Sequence, residues 1–198
     1  QAIADAARDR GQTVRVVLPA GNTHLSRCHA AIALGNGAAT LGLRLQPDDR
    51  TLSAMTFWLP PSGGTPPSSS RVALSITAPD GATATLHEGV GADFELRRNG
   101  ELFCFGAYAF APPPTRRGCF LIGFMPTARL LPTASPALAD RVAPSGLWTV
   151  RLAPENTGLA RDERIEAWIE RDDLVYGYPR RGRQPYFEKA CYRRFDEL

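Results

Sequence analysis

Trp148-Thr149-Val150-Arg151-Leu152 alternates apolar side chains with polar ones. A period of two is typical of an antiparallel strand that buries one face in a core and turns the other to water. Large apolar side chains likewise recur at every second position in residues 41–45, 55–59, 72–76, 94–97, 120–124 and 165–169. Clusters of Gly, Pro, Asn and Asp separate these segments, as turns require. The pattern predicts a mainly β chain, folded as an antiparallel β-sandwich with jelly-roll topology.

The composition fits one globular domain and argues against a membrane-embedded protein. The chain has 198 residues, 43% of them hydrophobic, and a formal net charge of +3. Gly 18 and Pro 17 exceed the usual share, which indicates many short elements joined by turns. No apolar run reaches the ~18–20 residues that span a bilayer, so we expect no membrane partner. The chain starts at Gln1 without a targeting leader, and we expect it to be part of a longer protein.

Changes of pattern divide the chain into three parts. Residues 1–27 begin with a predicted short amphipathic helix, followed by an apolar strand over Val14–Leu18 and a turn. Residues 28–175 contain the alternating segments and form the predicted β-sandwich. Residues 176–198 are a basic extension with six basic and three acidic side chains, which accounts for the whole net charge of +3.

The turn at the end of the first part reads Pro19-Ala-Gly-Asn22. An amide side chain at the end of a buried strand is able to donate N–H groups to a developing oxyanion, and Gly21 lets the backbone turn tightly before it. Taken together, residues 11–22 resemble the stretch of subtilisin-like serine proteases that carries the oxyanion-hole Asn. The resemblance implies a catalytic role for Asn22, whereas the spacing by itself is more typical of an ordinary turn.

The later parts of the chain extend this resemblance. Residues 47–60 and 144–172 are similar to a β-sandwich insertion found in some bacterial subtilases and, more loosely, to the P domain of proprotein convertases. Residues 178–196 resemble the linker that leads back to the protease core. The resemblance implies a parent protein that hydrolyses peptide bonds without a cofactor. It also implies that the partners of this chain are the remainder of the parent protease and a peptide or protein substrate.

The chain departs from the subtilase pattern in its catalytic triad. Subtilases order the triad as Asp, His and Ser along the chain, and their oxyanion Asn lies between His and Ser. The residues before Asn22 are too few for the Asp and His blocks, and Thr133-Ala-Ser-Pro136 lacks the Gly that precedes the nucleophile. Without a nucleophile–base pair, the chain alone is expected to be inactive as a protease. We interpret its sandwich as a non-catalytic segment between the oxyanion Asn and the catalytic Ser.

Two groups of side chains have the chemistry of metal ligands. His24, Cys28 and His29 would seat zinc if their segment were helical and two further ligands joined them; a local role is the alternative. The acidic pairs at 48–49 and 172–173 would supply oxygens to calcium, although Asp at strand ends ordinarily forms turns. We expect no metal and no cofactor.

The three tryptophans support an alternative function. Trp148 falls on an apolar face and is predicted to lie in the core, whereas Trp58 and Trp168 lie on the face opposite to their strands' aliphatic residues. Exposed aromatic side chains more often mark a protein contact than a sugar site. A stand-alone jelly-roll module that binds carbohydrate or protein therefore stays open beside the protease interpretation.

Basic and aromatic residues are interleaved in the extension of residues 176–198, as they are in proteins that bind single-stranded nucleic acid. The excess charge is small for such a partner, so we expect no nucleic-acid binding. Docking of this extension onto the parent protein, through buried aromatic rings and Arg–carboxylate pairs, is the predicted role.

Four cysteines, none in a CxxC pair, leave the compartment open. If the predicted hairpin of residues 101–110 and 118–125 is symmetric about its Pro-rich loop, Cys104 faces Cys119. A cross-strand disulfide and two buried free thiols are then the alternatives.

Overall fold

A computed structural model describes residues 26–34, 37–62, 65–111, 116–128, 142–156, 159–160, 162–170 and 182–188. These residues form the strands β1 His29–Ala33, β2 Ala39–Leu45, β3 Ser53–Trp58, β4 Val72–Thr77, β5 Thr83–His87, β6 Asp93–Arg98, β7 Glu101–Phe110, β8 Gly118–Phe124, β9 Gly146–Pro154, β10 Arg164–Ile169 and β11 Tyr186–Glu188. The mainly β fold predicted from the alternating segments is confirmed. None of the described residues belongs to a helix with the length and apolar character needed to cross a membrane.

The strands form two antiparallel sheets that pack face to face. One sheet has six strands in the order β1-β10-β3-β8-β7-β6, and the other has five in the order β11-β2-β9-β4-β5. The pairs β1/β10, β2/β9, β3/β8 and β4/β5 are nested along the chain, and successive pairs belong alternately to the two sheets. This is the strand order of a jelly roll. The β6–β7 hairpin widens the first sheet, and β11, from the predicted extension, widens the second.

The core forms where the inner faces of the two sheets meet around Trp148 of β9. The Trp148 ring meets Phe124 edge-to-face, with the ring centroids 5.0 Å apart, and lies tilted against Phe103 at 6.2 Å. Because Trp148 belongs to the five-stranded sheet and both phenylalanines to the other, the cluster joins the two layers. The indole N–H donates to Pro144 O at 2.9 Å, so the buried ring leaves no polar atom unpaired. Further fully buried side chains are Phe57, Phe120, Phe187, Leu43, Leu45, Met55, Leu59, Leu74 and Ile76.

The predicted hairpin forms as β7 and β8, but its register excludes the disulfide. Cys104 lies opposite Phe124, and Cys119 lies opposite Ala109. Both thiols are free and buried. The prediction that Cys104 faces Cys119 was wrong because Phe110 pairs with Gly118, which centres the hairpin on residue 114 and places Cys104 opposite a residue five positions after Cys119. The alternative of two buried free thiols is confirmed.

Candidate interaction surface

Several large apolar side chains on the outer face of the six-stranded sheet are exposed to solvent. Trp168 is 48% exposed, and Leu121 and Phe105 are each 40% exposed. Trp168 lies opposite Thr56 of β3, which in turn lies opposite Leu121 of β8. Phe105 of β7 lies opposite Gly123, two residues further along β8. We call this surface the apolar strip; its members are Ala54, Trp58, Phe105, Leu121, Gly123 and Trp168.

Small residues keep the apolar strip flat. A Cβ atom placed on Gly123 would lie 2.3 Å from Cζ of Phe105, so the Phe105 ring lies across the backbone of β8. Ala54 follows on the other side of Gly123 in the same row. A flat surface of this kind lets another polypeptide approach the sheet closely.

The outward face of the five-stranded sheet has polar pairs across its strands. The hydroxyl groups of Ser75 and Thr85 are hydrogen-bonded at 2.9 Å across β4 and β5. His87 Nδ1 lies 3.0 Å from Glu155 Oε1. Hydroxyl and charged pairs across strands are typical of a sheet face that is in contact with water. Charged pairs occur on the six-stranded sheet too, as His29–Glu166 shows, but three of its large apolar side chains are 40–48% exposed.

Trp168 is held in a fixed orientation at one end of the apolar strip. His29 of the edge strand β1 stacks on it, with the ring centroids 3.9 Å apart and the planes 24° from parallel. His29 Nε2 lies 2.6 Å from Oε2 of Glu166. An aromatic side chain whose position is set in advance is a typical anchor of a protein interface, because little side-chain entropy is lost on binding.

The first and last described segments of the chain lie side by side at one edge of the sandwich. The Phe187 N–H donates to Arg27 O at 2.9 Å, and the guanidinium of Arg27 lies 5.9 Å from the centre of the Tyr186 ring. The Cys28 thiol lies 3.7 Å from Pro185 O. We call residues 26–28 and 183–188 the junction. The chain enters and leaves the sandwich at nearly the same point.

A buried ion pair fastens the connection between β3 and β4. The Glu88 side chain is fully buried, and its carboxylate accepts hydrogen bonds from Arg71 N at 3.1 Å, Nε at 3.0 Å and Nη2 at 2.8 Å. Nη2 also donates to Pro60 O at 3.2 Å. The hydrogen bond to Glu88 raises the pKa of Arg71. Burial, together with the charge of Glu88, raises the pKa of Tyr108 to about 12.

Several candidate residues lie outside the described residues: Asn22, His24, the acidic pair 172–173 and residues 133–136. The oxyanion role of Asn22 stays a prediction. So do the boundaries 1–27, 28–175 and 176–198, although residues 186–188 form a strand of the sandwich.

The zinc hypothesis needed a helix that places His24 one turn before Cys28, and His24 lies outside the described residues. The structure does separate the side chains of Cys28 and His29. Residues 29–33 are a strand, so the two side chains diverge. The Cys28 thiol is buried against Ser26 O at 3.4 Å, while His29 faces outward on Trp168. Within the described ranges, no group of three or more His, Cys, Asp or Glu side chains could hold a metal ion.

The acidic pair at 48–49 stabilises the turn between β2 and β3. Asp49 is buried, and its Oδ1 accepts hydrogen bonds from Thr51 N at 3.0 Å and from Arg183 N at 3.2 Å. Its Oδ2 accepts from the Ser53 hydroxyl at 3.1 Å. The carboxylate thus joins the turn to the segment by which the chain leaves the sandwich.

The predicted positions of the tryptophans are confirmed. Trp148 is in the core, and Trp58 and Trp168 face outward, Trp58 half-buried and Trp168 exposed. Leu121 and Phe105 were missed as surface residues. Their exposure could have been predicted from the sequence, because each is an apolar residue between two buried residues of a strand and therefore points to the outer face.

The chain was compared with known proteins by sequence and by structure. No protein-family model matches it, and no curated protein matches it by sequence. Its fold is similar to part of the CspB protease of Clostridium perfringens, with a TM-score of 0.53 and 16% sequence identity. The similarity covers 76% of this chain and 27% of that protease. It shows a shared sandwich fold, and this chain spans little more than a quarter of its structural neighbour.

Proposed function

We propose that this chain is the non-catalytic β-sandwich of a subtilisin-like serine peptidase, inserted between the oxyanion-hole segment and the nucleophile of the parent. In this proposal the parent cleaves peptide bonds through an acyl-enzyme, and Asn22 donates an N–H to the oxygen of the tetrahedral intermediate. The sandwich stabilises the protease or positions protein substrates.

The junction carries the proposal. A domain is easily placed within a host protein when its chain enters and leaves at adjacent points, because the host is then interrupted at one place only. The 2.9 Å hydrogen bond from Phe187 N to Arg27 O meets that requirement. The Arg27–Tyr186 contact and the hydrogen bond from Arg183 N to Asp49 fasten the same region.

Two further observations support the proposal. The structural neighbour from Clostridium perfringens is a protease, and the likeness covers 27% of its length, as expected for one part of a larger enzyme. Residues 11–22, directly before the junction, are those that resemble the oxyanion segment of subtilases.

The test uses the complete parent protein, with its Asp, His and Ser blocks. Asn22→Ala should lower kcat for a peptide substrate by about 10²–10³-fold and change KM little, the effect known for an oxyanion Asn in this enzyme class. Asn99→Gly is the matched control, because Asn99 lies in the β6–β7 turn with a φ of 50° that glycine adopts freely. Unchanged turnover in the Asn22→Ala protein would overturn the proposal.

A further inference from the structure

The apolar strip is unsuited to permanent contact with water. Its three largest exposed side chains, Trp168, Leu121 and Phe105, stand 40–48% exposed on a sheet face with few polar groups between them. The opposite outer face of the same sandwich has the hydroxyl pair Ser75–Thr85 and the pair His87–Glu155, beside the exposed Leu147. Contiguous apolar surface on one side of a domain is typical of a site for another polypeptide.

The segment that precedes the sandwich joins it beside the apolar strip. Cys28 O accepts a hydrogen bond from Ile169 N at 2.8 Å, and the next residue, His29, lies opposite Trp168 and stacks on it. Residue 25 is therefore only four positions before the residue that contacts Trp168. The C-terminal extension leaves from β11 of the other sheet, next to Arg27 at the junction.

The length of the N-terminal segment is sufficient to cover the apolar strip. From β10 to β7 the surface spans three strand spacings, roughly 14 Å. An extended chain advances about 3.3 Å per residue, so about five residues cross it. Residues 1–25 provide this length several times over.

The composition of the N-terminal segment suits an apolar surface. Val14-Arg-Val-Val-Leu18 is an apolar run that needs a partner to be buried. A short tether raises its effective concentration at the surface to about the millimolar range, so weak contacts suffice for docking.

We propose that the apolar strip is the docking surface for residues 1–25. The docking rests on the exposed apolar strip and on the attachment of residues 1–25 beside it. Only the assignment of residues 1–25 to the protease core rests on the proposed function. On that identity, the apolar strip is the surface by which the sandwich contacts the catalytic body, with Trp168 as its anchor.

The test places a photoreactive side chain on the apolar strip of the full 198-residue chain. The Leu121→p-benzoylphenylalanine protein is mixed with an isotope-labelled copy, so that crosslinks between molecules can be recognised. The mixture is then irradiated, digested and analysed by mass spectrometry. Crosslinks should join position 121 to peptides of residues 1–25 of the same molecule. Val16→Asp combined with Val17→Asp should reduce their yield several-fold.

Thr85→p-benzoylphenylalanine is the control, since Thr85 is exposed on β5, at the edge of the five-stranded sheet opposite to β11 and the junction. Equal yield to residues 1–25 from the two positions would overturn the proposal. Crosslinks from position 121 only to another segment, only to a second copy, or to nothing would overturn it as well. Should the Leu121 variant fail to fold, Phe105→p-benzoylphenylalanine gives the same readout. These outcomes do not depend on the turnover of the parent, so the docking and the protease proposal can fail separately.

Discussion

Arg71→Met should destabilise the sandwich by about 3–5 kcal/mol, because it leaves the Glu88 carboxylate buried without its charged partner. The Glu88 side chain is completely buried and that of Arg71 is 14% exposed, so water cannot replace the guanidinium. Two of the three hydrogen bonds from Arg71 to Glu88 come from the lost side chain, at 3.0 and 2.8 Å. The third, from Arg71 N at 3.1 Å, survives the substitution.

The double variant Arg71→Met/Glu88→Gln should be more stable than Arg71→Met alone, although it changes one residue more. Glutamine removes the buried charge and keeps an oxygen that accepts from the backbone N–H of residue 71. Two neighbouring groups coupled in this way show an interaction energy of up to about 3 kcal/mol in a double-mutant cycle. Urea unfolding followed by tryptophan fluorescence measures the free energies of unfolding of the wild type, of Arg71→Met, of Glu88→Gln and of the double variant, provided that the slope m is unchanged.

The control cycle uses the exposed pair Arg97 and Glu95, whose side chains are 50% and 52% exposed. Arg97→Met should change the free energy of unfolding by at most about 1 kcal/mol, because solvent screens this pair. The reasoning would be refuted if Arg71→Met cost no more than the control, or if the second substitution destabilised the protein further.

Three further predictions concern the thiols, the last strand and the turn carboxylate. Burial raises the pKa of the Cys104 thiol, so on raising the pH the unfolded chain loses this proton before the folded protein does. The free energy of unfolding should therefore fall above about pH 8.5. Cys104→Ala should reduce that fall by about 1.4 kcal/mol per pH unit, measured by urea unfolding at alkaline pH. Gly42→Ala should weaken the pairing of β11 with β2, since the new Cβ would lie 2.7 Å from Glu188 O. Because the Phe187 N–H is directed to Arg27, the amides of Tyr186 and Glu188 face β2, and their exchange should become faster while that of β9 is unchanged. Asp49→Ala should cost about 2–3 kcal/mol by unpairing buried donors, and Asp49→Asn should cost less; equal losses for both would contradict the assigned hydrogen bonds.

The sequence predicts the parts of the fold that follow from local alternation. Residues 148–152 alternate large apolar with polar side chains, residues 55–59 have Met55, Phe57 and Leu59 at every second position, and the structure buries these alternate residues. Strand β1 was missed because His29-Ala-Ala-Ile-Ala33 has a single large apolar residue, and β5 was missed because Leu86 is alone among threonines and a histidine. Both strands are held by their partners β10 and β4 rather than by their own pattern.

The junction, the turn at Asp49 and the orientation of Trp168 depend on contacts between residues far apart in the chain, which no local sequence pattern predicts. The junction joins Arg27 to Phe187, and the buried carboxylate of Asp49 reaches Arg183. These residues are far apart in the chain, so only the order of the strands brings them together. The outward direction of Trp168 was predictable from alternation, whereas its stacking on His29 required the register of β1 against β10.

The most direct measurement of the central claim is the labelling of the complete parent protein with a fluorophosphonate, which reacts with an activated serine. Mass spectrometry then locates the modified residue. The account predicts one labelled serine outside residues 1–198, and the chain of residues 1–198 alone should stay unlabelled. Labelling of a serine within residues 1–198, or no labelling of the folded parent, would contradict the assignment of this sandwich to a serine peptidase.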